Sequence, residues 1–272
     1  NPFVDCVFRG EGETEFTQWL KCWNEPEQWK TITGLCYLDN EKQYQDNGLA
    51  RVLTFDQLTA PEESHFMNWS KPFVQLETTR GCFNTCAFCV SGGEKPVRTL
   101  SIDAIRQRLQ TIHRHGIQNV RVLDRTFNFN PRRAKELLNL FLEFHPHIRF
   151  HLEIHPALLS EELKAELQQL PEGLLHLEAG IQSLREPVLD QCRRLGKLSD
   201  ALDGLQFLCS LHNMETHADL IAGLPLYRLN EIFEDILTLA EYQAGEIQLE
   251  SLKLLPGTEM RRRAEELGIR YS

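Results

Sequence analysis

The chain has 272 residues, 42 % of them hydrophobic and 25 % charged, which suits one large soluble domain or two small ones. A formal net charge of −10 at pH 7 argues against a general nucleic-acid binder, which would carry a basic face. No apolar run reaches the roughly 18 residues of a membrane span. Eight cysteines are too few for a disulfide scaffold, so the composition points to a reducing, cytoplasmic setting.

The chain opens at Asn1 without an initiator Met, a basic start or an apolar signal core, and it reads as part of a longer or processed protein. The tail Gly268-Ile-Arg-Tyr-Ser272 reads the same way. Residues 1–70 form a first segment. Val4–Phe8 predicts a short strand, Arg9-Gly-Glu-Gly-Glu-Thr14 a turn, and Thr14 to about Lys21 a helix with Phe16, Trp19, Leu20 and Trp23 at helical spacing. Trp29–Leu38 predicts a strand pair, and Asn47-Gly48 is a turn signal. This segment reads as the end of an α/β unit plus a linker into a second segment, 71–272.

From Phe73 onward strands and helices alternate, the mark of parallel α/β architecture. Strands are expected at 73–79, 119–124, 149–155, 174–180, 216–222 and 246–254. Helices are expected at about 101–115, 131–144, 160–169, 185–211 with a break near Gly196, 228–243 and 257–267. Ser101, Asn130 before Pro131, and Ser160 supply caps.

The stretch Glu77-Thr-Thr-Arg-Gly-Cys82-Phe-Asn-Thr-Cys86-Ala-Phe88-Cys89-Val-Ser-Gly-Gly93 follows the first of these strands. Three thiols at C-x3-C-x2-C on a loop are soft ligands suited to an iron–sulfur cluster or zinc. Electron-transfer four-iron clusters normally take four cysteines, so three would leave one iron open to a small molecule. A structural zinc or iron–sulfur site stays open as an alternative, and it would call for a fourth ligand nearby. The remaining cysteines, Cys6, Cys22, Cys36, Cys192 and Cys209, lack metal spacing.

Side chains alternate along a strand, and the inward faces here are polar. His151, Glu153 and His155 share one face of 149–155, His176 and Glu178 one face of 174–180, and His217 and Asp219 one face of 216–222. Packed barrels fill their interior with branched apolar side chains. Polar groups there fit a cavity for a polar cofactor and substrate, or a face that is simply wet.

The cysteine stretch resembles the signature of the radical S-adenosylmethionine (SAM) superfamily, with Phe88 at its aromatic place. The resemblance implies a partial (βα)6 TIM-like barrel, with Cys82, Cys86 and Cys89 holding a [4Fe–4S] cluster whose open iron takes SAM. One electron from the cluster would then give a 5′-deoxyadenosyl radical that abstracts hydrogen from a substrate. Glu153, Gly180-Ile-Gln182-Ser183, Arg194 and Asp219-Leu-Ile-Ala-Gly223-Leu-Pro225 are similar, in order and spacing, to oxygen-independent coproporphyrinogen oxidase and its relatives. By that similarity Glu153, Gln182, Arg194 and Asp219 surround SAM. The superfamily's Gly-Gly-Glu after the second strand is replaced by Leu123-Asp124-Arg125-Thr126, so Asp124 or backbone carbonyls there take the place of the group that holds the SAM amino end.

Gly10-Glu-Gly-Glu13 and Gly34-Leu-Cys-Tyr37 resemble the closing segment of the cobalamin-binding domain that precedes many radical SAM cores. That implies a Rossmann-like remnant over 1–70 and cobalamin bound through a domain upstream. A methylthiotransferase-like enzyme is the alternative within the superfamily. The implied partners are SAM, an unknown substrate and an electron donor such as flavodoxin or ferredoxin, with no nucleic acid.

Overall fold

Apolar residues at every second position draw six strands into one parallel sheet, and the helices between them cover its outer face. The structure is a computed structural model that describes residues 4–270. The readings of Asn1–Phe3 and of Tyr271-Ser272 lie outside the described residues. The chain divides into two compact units, 1–60 and 61–272.

In the first unit, β1 (Cys6–Phe8) leads to α1 (Glu13–Lys21), α2 (Pro26–Trp29), β2 (Leu35–Leu38) and β3 (Tyr44–Asp46). The strands pair antiparallel in the order β1-β2-β3. An aromatic run, Phe8, Phe16, Trp19, Trp29 and Tyr37, joins sheet and helices. Gly10 has φ +89°, and a Cβ there would fall 2.2 Å from the Ala50 carbonyl oxygen, so the Gly-Glu-Gly-Glu turn requires its first glycine. Trp29–Leu38 is not a strand pair. Pro26, at the first turn of α2, favours helix through Trp29 and leaves only β2 extended.

The second unit runs β4 (Val74–Leu76), β5 (Thr79–Arg80), β6 (Arg98–Thr99), α3 (Ile102–Arg114), β7 (Asn119–Val122), α4 (Pro131–Leu142) and β8 (Arg149–Ile154). It continues with α5 (Glu161–Gln169), β9 (Leu175–Gln182), α6 (Glu186–Gln191), α7 (Leu198–Cys209), β10 (Glu215–Ala222), α8 (Leu229–Glu241), β11 (Glu246–Ser251) and α9 (Glu259–Arg262). The sheet order is β11-β10-β9-β8-β7-β4, parallel throughout, and it does not close. This is the expected partial barrel.

Outward residues Phe150, Leu152, Leu175, Leu177, Ala218 and Leu220 are fully buried. They meet the apolar stripes of α3 to α5 and α7, and the Phe141 ring of α4 stacks on Phe150 at 3.9 Å between centroids. The caps at Ser101, Asn130 and Ser160 accept the backbone N–H bonds expected of them.

Two elements differ from expectation. The strand expected over 73–79 breaks after Leu76, because the buried Asp124 carboxylate takes the Thr78 and Thr79 N–H groups that a continued ladder would use. Thr79-Arg80 then pairs with Arg98-Thr99, closing the base of the cysteine loop. The break expected near Gly196 does divide 185–211 into α6 and α7, where Arg193 (φ +54°) and Gly196 (φ +102°) take left-handed backbone. The last helix is short, with Thr258 capping Glu259–Arg262.

Candidate active site

The cysteine loop leaves the C-terminal end of β4, the end of a parallel barrel where chemistry gathers. It is tied down by its own backbone: Cys82 N donates to Glu94 O (3.0 Å), Gly93 N to Asn84 O (2.7 Å) and Cys89 N to Cys86 O (3.1 Å). A Cβ on Gly92 would fall 2.5 Å from Cys86 O, so that turn admits only glycine. The segment between α6 and α7 clamps the loop from outside. Ala87 N donates to Cys192 O (2.8 Å), and Leu195 N donates to Asn84 Oδ1 (3.2 Å).

Cys82, Cys86 and Cys89 are free thiols, and Cys82 and Cys86 are buried. Burial pushes both of these thiols up, and for Cys86 the Arg194 charge opposes it. Three soft donors on one loop, with a guanidinium beside Cys86, fit a [4Fe–4S] cluster with one iron left open.

Of the side chains expected around SAM, Arg194 and Gln182 meet beside this loop. Arg194 donates through Nη1 to Cys86 Sγ (3.9 Å) and through Nη2 to the Gly180 carbonyl. A Cβ on Gly180 would lie 2.6 Å from Gln182 Nε2 and 3.4 Å from Arg194 Nη2, so the glycine makes room for both side chains. Asp219 is the β10 register partner of Gly180. Its carboxyl is pushed up to about 9 by burial and then by Glu178. Glu153 stands across from Glu178 on the neighbouring strand, and burial followed by the Glu178 charge raises it to about 7.

Two expected residues are placed differently. The Asp124 carboxylate is 1 % exposed and accepts from Thr78 N (2.8 Å), Thr79 N (2.8 Å) and the Thr78 hydroxyl. It anchors the first strand, which leaves the backbone after β7 as the group open to the expected amino-end role. Phe88 packs into an apolar cluster with Val188, Cys192, Leu224, Ile232 and Met260, and so fixes the loop on the protein side.

The inward histidines divide. His151, His176 and His217 lie together, ring centroids 4.8–5.6 Å apart. His151 Nε2 is 2.8 Å from Glu178 Oε2, and His176 Nε2 is 2.8 Å from His217 Nδ1. The His151 hydrogen bond, and then the nearby His217 ring, hold Glu178 well below the usual carboxylate range. Burial, then the charges of His151 and His217, lowers His176 to about 4. His155 does not join them. It follows the end of β8, its N–H donates to Asn128 Oδ1 (2.8 Å), and its Nε2 donates to Leu195 O (3.0 Å). Sequence reasoning also missed Asn84, whose carboxamide ties the cysteine loop to Leu195, because a lone Asn inside a cysteine motif carries no spacing signal.

The Radical SAM superfamily profile matches residues 76–239, more than half of the chain. An uncharacterized methyltransferase, PH0819, of Pyrococcus horikoshii is 29 % identical over 144 residues, covering 50 % of this chain and 31 % of the relative. The tRNA-2-methylthio-N(6)-dimethylallyladenosine synthase of Psychrobacter arcticus is 24 % identical over 254 residues, 88 % of this chain and 48 % of its own length. The radical SAM methyltransferase TsrM of Kitasatospora setae, solved with tryptophan and a SAM analogue, superposes with a TM-score of 0.80 at 16 % identity, over 99 % of this chain and 56 % of that one. The cobalamin-dependent radical SAM enzyme OxsB superposes with a TM-score of 0.70 at 15 % identity, over 97 % and 46 %. The chain thus spans about a third to somewhat over half the length of these relatives.

Proposed function

The chain belongs to the radical SAM superfamily, and from that premise we propose that it is the core of a radical SAM enzyme acting on an unactivated carbon of an as yet unidentified substrate. One observation carries the reading: Arg194, Gln182 and Gly180 meet beside Cys86 at the C-terminal end of the sheet. Cys82, Cys86 and Cys89 would hold the cluster. When bound, the reduced cluster and SAM would supply a 5′-deoxyadenosyl radical.

The chain's own residues bind and orient. Arg194 offers a fixed guanidinium to the methionyl carboxylate of SAM. Gln182, the half-buried carboxyl of Glu153 and the buried carboxyl of Asp219 offer hydrogen bonds to ribose hydroxyls. Phe88 and Asn84 hold the loop in place, and Asp124 holds the strand beneath it. Cobalamin would come from a domain outside this chain, and methylation is the reaction class that this combination favours. Fold likeness to TsrM and OxsB supports that reading. An electron donor such as flavodoxin or ferredoxin would reduce the cluster. Eight free thiols support a cytoplasmic setting. Among the described residues no helix is long and apolar enough to cross a membrane.

The relative from Psychrobacter arcticus favours a second reading, a methylthiotransferase-like enzyme. That chemistry would call for further cluster cysteines before the barrel. Cys22 and Cys36 are buried, and each donates to an oxygen of its own unit, Gln18 O and Gly34 O respectively, so these two do not supply them.

The test is anaerobic cluster reconstitution followed by dithionite and SAM, with Cys86→Ala as control. About four irons per chain with formation of 5′-deoxyadenosine support the reading. Intact SAM on a fully loaded cluster overturns it.

A further inference from the structure

A second donor set lies inside the sheet, away from the cysteine loop. We propose that His151, Glu178 and His217 form a binding site for one divalent first-row transition-metal ion. The three ligand atoms all lie within 4.8 Å of one another. They come from three adjacent parallel strands, β8, β9 and β10, and therefore rest on the most rigid part of the fold. Two imidazoles and a carboxylate are the donor set of mononuclear zinc and non-haem ferrous sites.

Two independent observations turn this cluster into a site. His217 is only 6 % exposed, yet its Nε2 has no hydrogen-bond partner. It points between Glu178 Oε2 at 3.6 Å and Asp219 Oδ1 at 3.5 Å, both too far for a hydrogen bond, and Asp219 Oδ1 is itself buried without a partner. Buried polar atoms left facing one another across such a gap are costly unless something fills it. Bonds of about 2.0–2.2 Å from each donor to a shared ion would fill it. Glu178 Oε2 already stands 2.8 Å from His151 Nε2 and 3.6 Å from His217 Nε2, so a small inward turn of the imidazoles completes the triangle.

The second observation is the support behind the ligand. His176 Nε2 lies 2.8 Å from His217 Nδ1, and His176 Nδ1 lies 3.6 Å from Glu215 Oε2. With His217 Nδ1–H donating to His176 Nε2, the His217 Nε2 lone pair is free and aimed at the gap. A ligand histidine fixed through its far nitrogen to a polar partner is how metal-binding imidazoles are oriented. Arg149 Nη2 donates to Glu215 and holds that carboxylate at the far end.

The site borders the pocket assigned to SAM, since Glu178 is the register partner of Glu153 and His217 Nε2 lies 3.5 Å from Asp219 Oδ1. Glu178 and His217 are register partners one layer below Gly180 and Asp219, further from the strand ends that carry the cysteine loop. The proposal therefore stands whether or not SAM is cleaved, and its test reads metal rather than activity. The full chain, with its iron–sulfur cluster reconstituted, is dialysed against zinc. Retained metal is measured by elemental analysis, and its ligands are read by X-ray absorption at the zinc edge. We expect one zinc per chain, with nitrogen and oxygen neighbours at about 2.0–2.2 Å. His217→Ala and the isosteric Glu178→Gln should each weaken retention at least about tenfold, while the exposed control His212→Ala should retain zinc as the parent does. A sulfur shell at about 2.3 Å, no retained zinc in the parent, or full retention by folded Glu178→Gln overturns the site.

Discussion

Arg194 Nη1 lies 3.9 Å from the sulfur of Cys86, while Nη2 of the same guanidinium donates to the Gly180 carbonyl. The two residues are remote in sequence, and the left-handed turn at Arg193 swings the side chain inward rather than along the surface of α6. A cation at that place both balances thiolate charge and faces the position where a carboxylate of SAM would sit. Arg194→Lys keeps the charge and loses the two-pronged geometry. We expect cluster content to persist and SAM affinity to fall about tenfold or more. Iron content and calorimetric SAM binding check this, and unchanged affinity would remove Arg194 from the binding set.

Gly180 tests the same convergence from the backbone side. An added Cβ meets Gln182 Nε2 at 2.6 Å and Arg194 Nη2 at 3.4 Å, both flexible ends that can move aside. Gly180→Ala should therefore cost only about 1–2 kcal/mol in stability but displace both side chains from their shared position. The expected signature is a near-normal melting temperature with strongly weakened SAM binding. A variant that binds SAM normally would show that Gln182 and Arg194 act elsewhere.

Much of this was legible in the sequence because it depends on local rules. Alternating apolar residues gave the six strands, capping residues gave the helix starts, and the cysteine spacing gave the loop. The polar parity of His151, Glu178 and His217 was equally visible. Their convergence was not, because register between strands is a tertiary property. Asp124 shows the other limit. Its place in the sequence suggested a ligand contact, yet the carboxylate serves to terminate a strand, and only the position of Thr78 and Thr79 reveals that. His155 failed for a similar reason, since the strand ends one residue before it and parity no longer applies.

His155 makes stability depend on acid. It is 4 % exposed, and burial followed by the Arg194 charge lowers its pKa from 6.5 to about 3. The unfolded chain therefore takes up a proton at this residue before the folded chain does. The stability associated with the neutral ring is whole above about pH 6.5 and declines as pH falls toward about 3. Melting temperatures of the parent and His155→Asn should differ most near pH 7, and the gap should narrow by about pH 5. A gap that holds constant with pH would mean that the ring titrates normally.

Asp235 governs the turn that carries Gln182 into α6. It is 1 % exposed and accepts from Leu184 N (2.8 Å), Arg185 Nε (2.9 Å) and the Tyr227 hydroxyl (2.6 Å). Burial, then the Asp235 bond, raises the Tyr227 hydroxyl above its ordinary value, so Tyr227 remains a donor to that carboxylate. Removing the acceptor strands three donors at once, although Arg185 can turn partly to water and to Glu234. Asp235→Ala should cost about 2–4 kcal/mol, a fall of roughly 5–15 °C in melting temperature. Asp235→Asn keeps an acceptor for Leu184 N and should lose less than half as much. Because the turn follows directly on Gln182, the Asn variant should also weaken SAM binding while iron content stays unchanged. Equal melting temperatures for all three proteins would show that the network neither stabilises the turn nor positions Gln182.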